Sequence, residues 1–265
     1  MLITLTTDFG NKDGFPAQMK GVILGMNPDA RIIDITHQIA PWNIAGGSYI
    51  LKTCCRYFPH GTIHVAVVDP GVGSGRRRLV LRSGGWIFIG PDNGLFSPFL
   101  KGADEIREIT NPSLILPSLL ESGHHSTFEG RDVFAPAAGW LSADRKMPMA
   151  EFGPEVTDPV IIKNIHGLIS SDGSFITGEV LHIDRFGNCI TNISGEQLKN
   201  NTGLAASVEA AGRRFGLARF YAEVSDAAPH ALLNSEGFLE IFFFKGNAAV
   251  TLGLKPGDPV RVVFA

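Results

Sequence analysis

Apolar and polar residues alternate over Leu2 to Thr7 and again over Arg31 to Thr36, where Ile32, Ile33 and Ile35 surround Asp34. This two-residue period predicts strands. Gly14 to Met26, closed by Asn27-Pro28, and Ile44 to Phe58, closed by Pro59, carry the stop signals of helices. Thr62 to Val68 is a continuous apolar and β-branched run, as a strand buried on both faces requires. It opens directly into Asp69-Pro70-Gly71-Val72-Gly73, the strand-end position where α/β sheets bind ligands. Leu79 to Leu81 and Trp86 to Ile89 flank Ser83-Gly84-Gly85 as a hairpin, the turn Pro91-Asp92-Asn93-Gly94 follows, and Arg131 to Leu141 predicts a helix with Pro136 near its start. Beyond about Val160 the pattern changes to short β-branched strands, Gly178 to Ile183, Leu239 to Phe244 and Pro259 to Phe264. The first part reads as a largely parallel sheet with helices on its faces and the second as a small all-β domain. The boundary falls between Asn164 and Ser174, giving domains 1–163 and 175–265 around a linker over 164–174.

Composition narrows the function classes. The 265 residues are 44% hydrophobic and 18% charged with 31 Gly and 16 Pro, which excludes disordered, collagenous and coiled-coil chains. With 23 basic against 26 acidic residues the formal charge is -3, so no global field favours nucleic acid. No apolar run approaches the roughly 18–20 residues needed to span a bilayer, so no membrane role is expected. The start, Met1-Leu2-Ile3-Thr4, lacks the basic and apolar regions of a secretory signal, so a cytoplasmic location is expected. Cys54 and Cys55 are adjacent and Cys189 is alone, an odd count that speaks against a disulfide framework and lacks zinc-ligand spacing.

Four acids stand at strand ends or in tight turns: Asp8, Asp69, Asp92 and Asp184. An isolated Asp-x-Gly ordinarily caps its own turn through backbone N–H groups. Here Gly71-Val72-Gly73-Ser74-Gly75 runs into Arg76-Arg77-Arg78, a flexible backbone beside a cationic cluster able to hold an anion near Asp69. No Gly-Lys-Ser/Thr ends that loop and no Gly-x-Gly-x-x-Gly opens a helix, which disfavours nucleoside triphosphate chemistry. His124-His125, with Glu129 and Asp132 close behind, is the densest set of metal-ligand types, although adjacent residues on a strand point to opposite faces. Neither Ser126-Thr127 nor Cys54-Cys55 sits in a nucleophile motif.

Six segments taken in order are specific: Leu5-Thr6-Thr7-Asp8-Phe9-Gly10, Asp34-Ile35-Thr36-His37-Gln38-Ile39, Val67-Val68-Asp69-Pro70-Gly71-Val72-Gly73, Gly90-Pro91-Asp92-Asn93-Gly94, Thr127-Phe128-Glu129-Gly130-Arg131-Asp132 and Phe186-Gly187-Asn188-Cys189-Ile190-Thr191-Asn192. From Leu2 to about Leu254 the chain closely resembles the S-adenosyl-L-methionine hydroxide adenosyltransferases, hydrolase relatives of the fluorinases and chlorinases. The resemblance implies an N-terminal α/β sandwich with a mostly parallel central sheet, a smaller C-terminal β-barrel, and a homotrimer with active sites between subunits. It implies metal-independent hydrolysis of S-adenosylmethionine to adenosine and methionine without a cofactor, the sulfonium compound being the substrate.

By the same resemblance Asp69, Arg76 and Glu129 match the catalytic positions. Asp8 would bind the ribose hydroxyls, Trp42 would line the pocket, Asp184 would bind the methionine amino group and Asn188 the adenine. Ser235 and Ala248 match segments around the methionine and the adenine. The usual Thr-Phe-His-Gly-Arg-Asp pattern here carries Glu129 in place of His, and an ionised carboxylate only accepts hydrogen bonds. Three readings follow: Glu129 serves as general base, it is neutralised by Arg76 or Arg131 as a structural pair, or the site is slow or inactive. A halogenase is disfavoured, because Glu129 would repel a halide and the short connection from Pro91-Asp92-Asn93-Gly94 into Phe96-Ser97-Pro98 leaves no room for the halogenase insertion. A trimer that binds S-adenosylmethionine without turnover is the alternative from a different class, and a metal hydrolase built on His124 and His125 is the third.

Overall fold

The computed structural model describes residues 1–117, 126–143, 147–163, 166–199 and 206–264. His124 and His125 lie outside the described residues. Two compact units divide the chain, Met1–Ile162 and Lys163–Ala265.

The first unit is built on β1 (Leu2–Thr7), which pairs in parallel with β2 (Arg31–Thr36) on one side and β3 (Ile63–Val67) on the other. Parallel pairing continues from β3 to β5 (Trp86–Pro91). The hairpin partner β4 (Arg78–Ser83) then runs antiparallel between β5 and β6 (Ala103–Glu108), completing the order β2-β1-β3-β5-β4-β6. Around the sheet run α1 (Phe15–Met26), α2 (Ile44–Cys55), α3 (Ser97–Leu100) and α4 (Ala135–Ala143).

The unbroken apolar run of β3 is explained by its central place. Ile63, Val65 and Val67 join Met19, Ile23 and Leu141 in one core, while Ala66 and Val68 join Leu51, Leu81 and Phe88 in another. The two-residue period of a strand sends alternate side chains to opposite faces, and here both faces are covered by helices. The edge strand β2 is covered far less, and its Ile33 is 44% exposed.

The helix anticipated over Arg131 to Leu141 begins differently. Gly130–Phe134 forms a wide π-type turn in which Ala135 N–H donates to the Gly130 carbonyl, and the α-helix proper starts at Ala135. Pro136 has no N–H to give the Asp132 carbonyl four residues earlier, and that carbonyl accepts from Leu116 N at 2.9 Å instead. π-type turns of this kind gather at functional sites.

The second unit contains β7 (Leu168–Ile169), β8 (Phe175–Ile183), β9 (Cys189–Ser194), α5 (Gly195–Lys199), β10 (Ala206–Ala210), β11 (Arg213–Gly216), β12 (Pro229–Leu233), β13 (Phe238–Phe243), α6 (Ala248–Leu252) and β14 (Pro259–Phe264). The antiparallel order β11-β10-β14-β8-β9-β13-β12 nearly closes on itself where Leu217 bridges Ala231. The result is a barrel-like sheet around Ile176, Val208, Leu239, Ile241 and Val262. Part of the segment anticipated as linker is sheet: Leu168 and Ile169 pair with Thr177 and Ile176. The physical reason is that β9 meets only Val180 to Ile183 of the nine-residue β8, leaving the earlier ladder groups to β7.

His64, on β3, is wholly buried, with its Nδ1 2.7 Å from Thr4 Oγ1 and its ring stacked on Phe88. Burial lowers its pKa to about 4. Because the folded state resists protonation, stability is retained above the ordinary pKa near 6.5 and falls as acid takes the pH toward 4. Urea unfolding should therefore lose on the order of 3 kcal/mol from this group between about pH 7.5 and about pH 4. His64→Gln should flatten that slope, and an unchanged slope would refute the assignment.

Candidate active site

Asp8 and Asp69 follow the carboxyl ends of the adjacent parallel strands β1 and β3, so both acids emerge on the same edge of the sheet. A cavity of about 280 Å3 opens there, lined by Asp8, Asp69 and Glu129 among apolar walls that include Phe9, Val72 and Phe128. Asn93 steadies the loop by donating Nδ2 to the Val68 carbonyl at 2.8 Å.

Asp69 Oδ1 accepts from Gly71 N at 3.2 Å and Arg76 Nε at 2.8 Å. Arg76 Nη2 donates to both Asp69 Oδ2 and Glu129 Oε2. Glu129 Oε1 in turn accepts from Arg78 Nε at 2.8 Å and Arg78 Nη2 at 2.6 Å. The Asp69 and Glu129 side chains are only 4% and 2% exposed. Burial by itself would depress the Arg76 guanidinium, but Asp69 and Glu129 outweigh it and hold the pKa above its ordinary value. Each carboxylate oxygen has room for two donors. Among the described residues, Asp69 Oδ2 and Glu129 Oε2 each accept from Arg76 Nη2 alone, so each keeps a position for a second donor.

The structural pairing open to Glu129 in the sequence is thereby decided in part. Arg131 is engaged elsewhere, donating to Asp132 Oδ1 at 2.6 Å and Gln18 Oε1 at 3.0 Å, and Arg78 is the second cation on Glu129. Sequence reasoning missed Arg78, which was visible only as the third of three consecutive arginines. Asp92 stays out of the cavity; it accepts from Arg77 Nε and from Val160 N, each at 2.8 Å, and so anchors a loop.

Asp8 Oδ2 accepts from Trp42 N at 2.8 Å. Burial is the main cause raising the Asp8 pKa, the Trp42 N–H opposes it, and the charge of Asp69 adds to the rise. Trp42 holds φ at 65° and stands 73% exposed beside the cavity it helps to line. A left-handed conformation is a genuine outlier for so bulky a residue. The segment carrying Glu129 is held by a trio of rings the sequence did not single out: Phe15 and Phe128 lie 5.1 Å apart, Phe9 and Phe128 5.4 Å. Gly130 permits that approach, since a Cβ there would stand 2.9 Å from the Phe128 ring and 3.3 Å from Met19 sulfur.

The second unit carries its own cavity, of about 730 Å3, lined by Asp184, Asn188, Tyr221 and Asn247 among others. Asp184 Oδ1 accepts from Phe186 N at 2.8 Å and Asn188 N at 2.9 Å, while Oδ2 accepts from Asn188 Nδ2 at 2.9 Å. The acid thus fixes the Asn188 amide in orientation. Ser235 is exposed in the turn before β13 and Ala248 is buried in the barrel core; neither side chain lines this cavity, although Gly246 and Asn247 beside Ala248 do. Tyr221 was missed by sequence reasoning, and its hydroxyl donates to the buried Glu240. Burial pushes the Cys55 thiol up to about 11 and the Cys189 thiol to about 12, so neither is a ready nucleophile.

This pair of domains and their acidic strand ends define a class. The chain belongs to the SAM hydroxide adenosyltransferase family: the N-terminal domain model of that family matches residues 3–153 and the C-terminal domain model residues 178–261. Among its relatives, the (R)-S-adenosyl-L-methionine hydrolase of Salinispora arenicola is 38% identical across 98% of this chain and 97% of its own length. The (R)-S-adenosyl-L-methionine hydrolase of Thermus thermophilus is 38% identical across 97% of each. A crystal structure of an uncharacterised conserved protein from Thermotoga maritima superposes with a TM-score of 0.84 and 32% identity, covering 99% of this chain and 100% of that one. Fluorinases match at lower identity, 25% to 28%.

Gly187 stands at φ +86°, and a Cβ there would fall 2.1 Å from the Asn247 side chain. Asn247 caps α6 by accepting from Val250 N at 2.8 Å. Gly187→Ala should therefore cost about 2 kcal/mol, the sum of backbone strain and a disturbed cap. Denaturant unfolding measures it, and an unperturbed midpoint would contradict the packing described.

Proposed function

We propose that this protein hydrolyses S-adenosyl-L-methionine to adenosine and L-methionine by attack of water at C5′. The observation that carries the reading is the buried Asp69–Arg76–Glu129 cluster, with acceptor positions left on Asp69 Oδ2 and Glu129 Oε2 about one shared nitrogen. A water donating to Asp69 Oδ2 is oriented and polarised there. As its oxygen bonds C5′, the C5′–S bond breaks, the electron pair leaves with sulfur, one proton stays on the new hydroxyl and the other departs through Asp69. The sulfonium leaves as a neutral thioether, so the leaving group needs no acid. As Asp69 takes the water's proton and sulfur leaves neutral, the carboxylate and sulfonium charges vanish together, which favours a cavity walled by Phe9, Phe128 and Val72 over open water.

In this reading Asp8 accepts from the ribose hydroxyls beside Trp42, and Asp184 and Asn188 receive the methionine amino group and the adenine. Ser235 and Ala248 contribute through backbone and neighbouring segments. The relatives are named for the (R) configuration at sulfur, and we assign the same preference here. No metal or cofactor is required, and the protein works in the cytoplasm, a compartment that suits the buried thiols of Cys55 and Cys189. The active form is a homotrimer in which one subunit's Asp69 cavity works with a neighbour's Asn188 cavity.

Incubation in H218O should convert the (R) sulfur epimer faster than the (S) epimer to methionine and adenosine labelled at O5′, undiminished by chelator. Ligand bound but returned intact would favour the binding module, and a halide-dependent 5′-halo-adenosine would favour a halogenase. Asp69→Asn should lower kcat about 100-fold or more, as loss of a positioned proton acceptor does. Mixing two inactive variants, Asp69→Asn and Asn188→Ala, should restore part of the activity if sites are shared between subunits; no restoration after subunit exchange would rule the sharing out.

A further inference from the structure

Two buried carboxylates, Asp69 and Glu129, converge on Nη2 of Arg76. One guanidinium cannot neutralise both, and an uncompensated buried carboxylate is costly enough that it takes up a proton or recruits another cation. Arg78 is that cation. It reaches Glu129 from β4 with its Nε and Nη2 both on Oε1, at 2.8 and 2.6 Å, filling that oxygen's two acceptor positions. The four groups then sum to zero charge.

The geometry points to Arg78 as a positioning residue for the reaction: by filling Glu129 Oε1 it fixes the direction of Glu129 Oε2 and leaves Arg76 shared between the two carboxylates. This rests on the hydrolase reading above. Without Arg78, Arg76 is drawn toward a second unbalanced charge, and the Asp69 oxygen that orients water loses its fixed direction. Arg78 itself touches neither water nor substrate in this account. Glu129 likewise needs no exchangeable proton, so it acts as an acceptor in a neutral four-member cluster. An anionic Glu129 facing the cavity also suits a cationic sulfonium and disfavours a halide.

The test is a double-mutant cycle on the full chain. Arg78→Met, which keeps the apolar stem, should lower kcat about 30-fold with KM changed less than about threefold, a loss of orientation rather than of binding. Arg78→Lys, which keeps the charge but not the paired donors, should recover part of that loss. In a Glu129→Gln background Arg78→Met should cost less than about threefold further, because Arg78 acts through Glu129. Equal losses in both backgrounds, a rise in KM alone, or full activity of Arg78→Met would overturn the inference while leaving the hydrolase reading intact. Failure of the unmodified protein to turn over either epimer of S-adenosylmethionine would instead remove the hydrolase reading, and this inference with it.

Discussion

A single guanidinium held between two buried carboxylates organises the N-terminal site. Arg76 spans Asp69, at the end of the central strand β3, and Glu129, at the mouth of the π-type turn that precedes α4. Its raised pKa expresses how much the two acids gain from its charge. Burial makes those ion pairs consequential, since removing one partner of a buried set leaves the others uncompensated, whereas exposed pairs contribute little. The same burial sets the demand for Arg78 on Glu129.

The surrounding fold can be read as support for that cluster. Two fully covered faces of β3 hold the Asp69 loop at a defined height, and Asn93 ties the loop to the turn after β5. The Phe9, Phe15 and Phe128 rings fix the segment that carries Glu129 against α1. Pro136 and the Leu116 N–H that replaces its missing donor stabilise the wide turn from the other side. In the second unit the same economy appears: Asp184 fixes Asn188, and Asn247 both caps α6 and lines the cavity.

A strained residue accompanies the acidic strand ends. Trp42 keeps a left-handed backbone while its N–H holds Asp8, so the turn that presents the indole and the carboxylate is one unit. Strain of this kind persists where the surroundings over-determine it, and such positions gather at ligand sites.

Much was legible in the chain alone. The strands Leu2–Thr7 and Arg31–Thr36 follow from alternation, Pro259–Phe264 from its β-branched residues, and the double-sided burial of β3 from its unbroken apolar run, because side-chain period depends on local backbone geometry. The six motifs pointed to the family by resemblance, through their order along nearly the whole chain rather than through any one of them. The second partner of Glu129 was not legible: Arg78 and Glu129 are 51 residues apart, and only the fold turns Arg76 and Arg78 toward that carboxylate while sending Arg77 to Asp92. For the same reason Ala248 proved to be core, Asp92 an anchor and Leu168–Ile169 sheet, since which face a side chain takes depends on what is packed against it. Local pattern determined the elements and the identity of the chemical groups; tertiary packing alone decided which charges meet, because ion pairing falls off over distances that sequence separation does not measure.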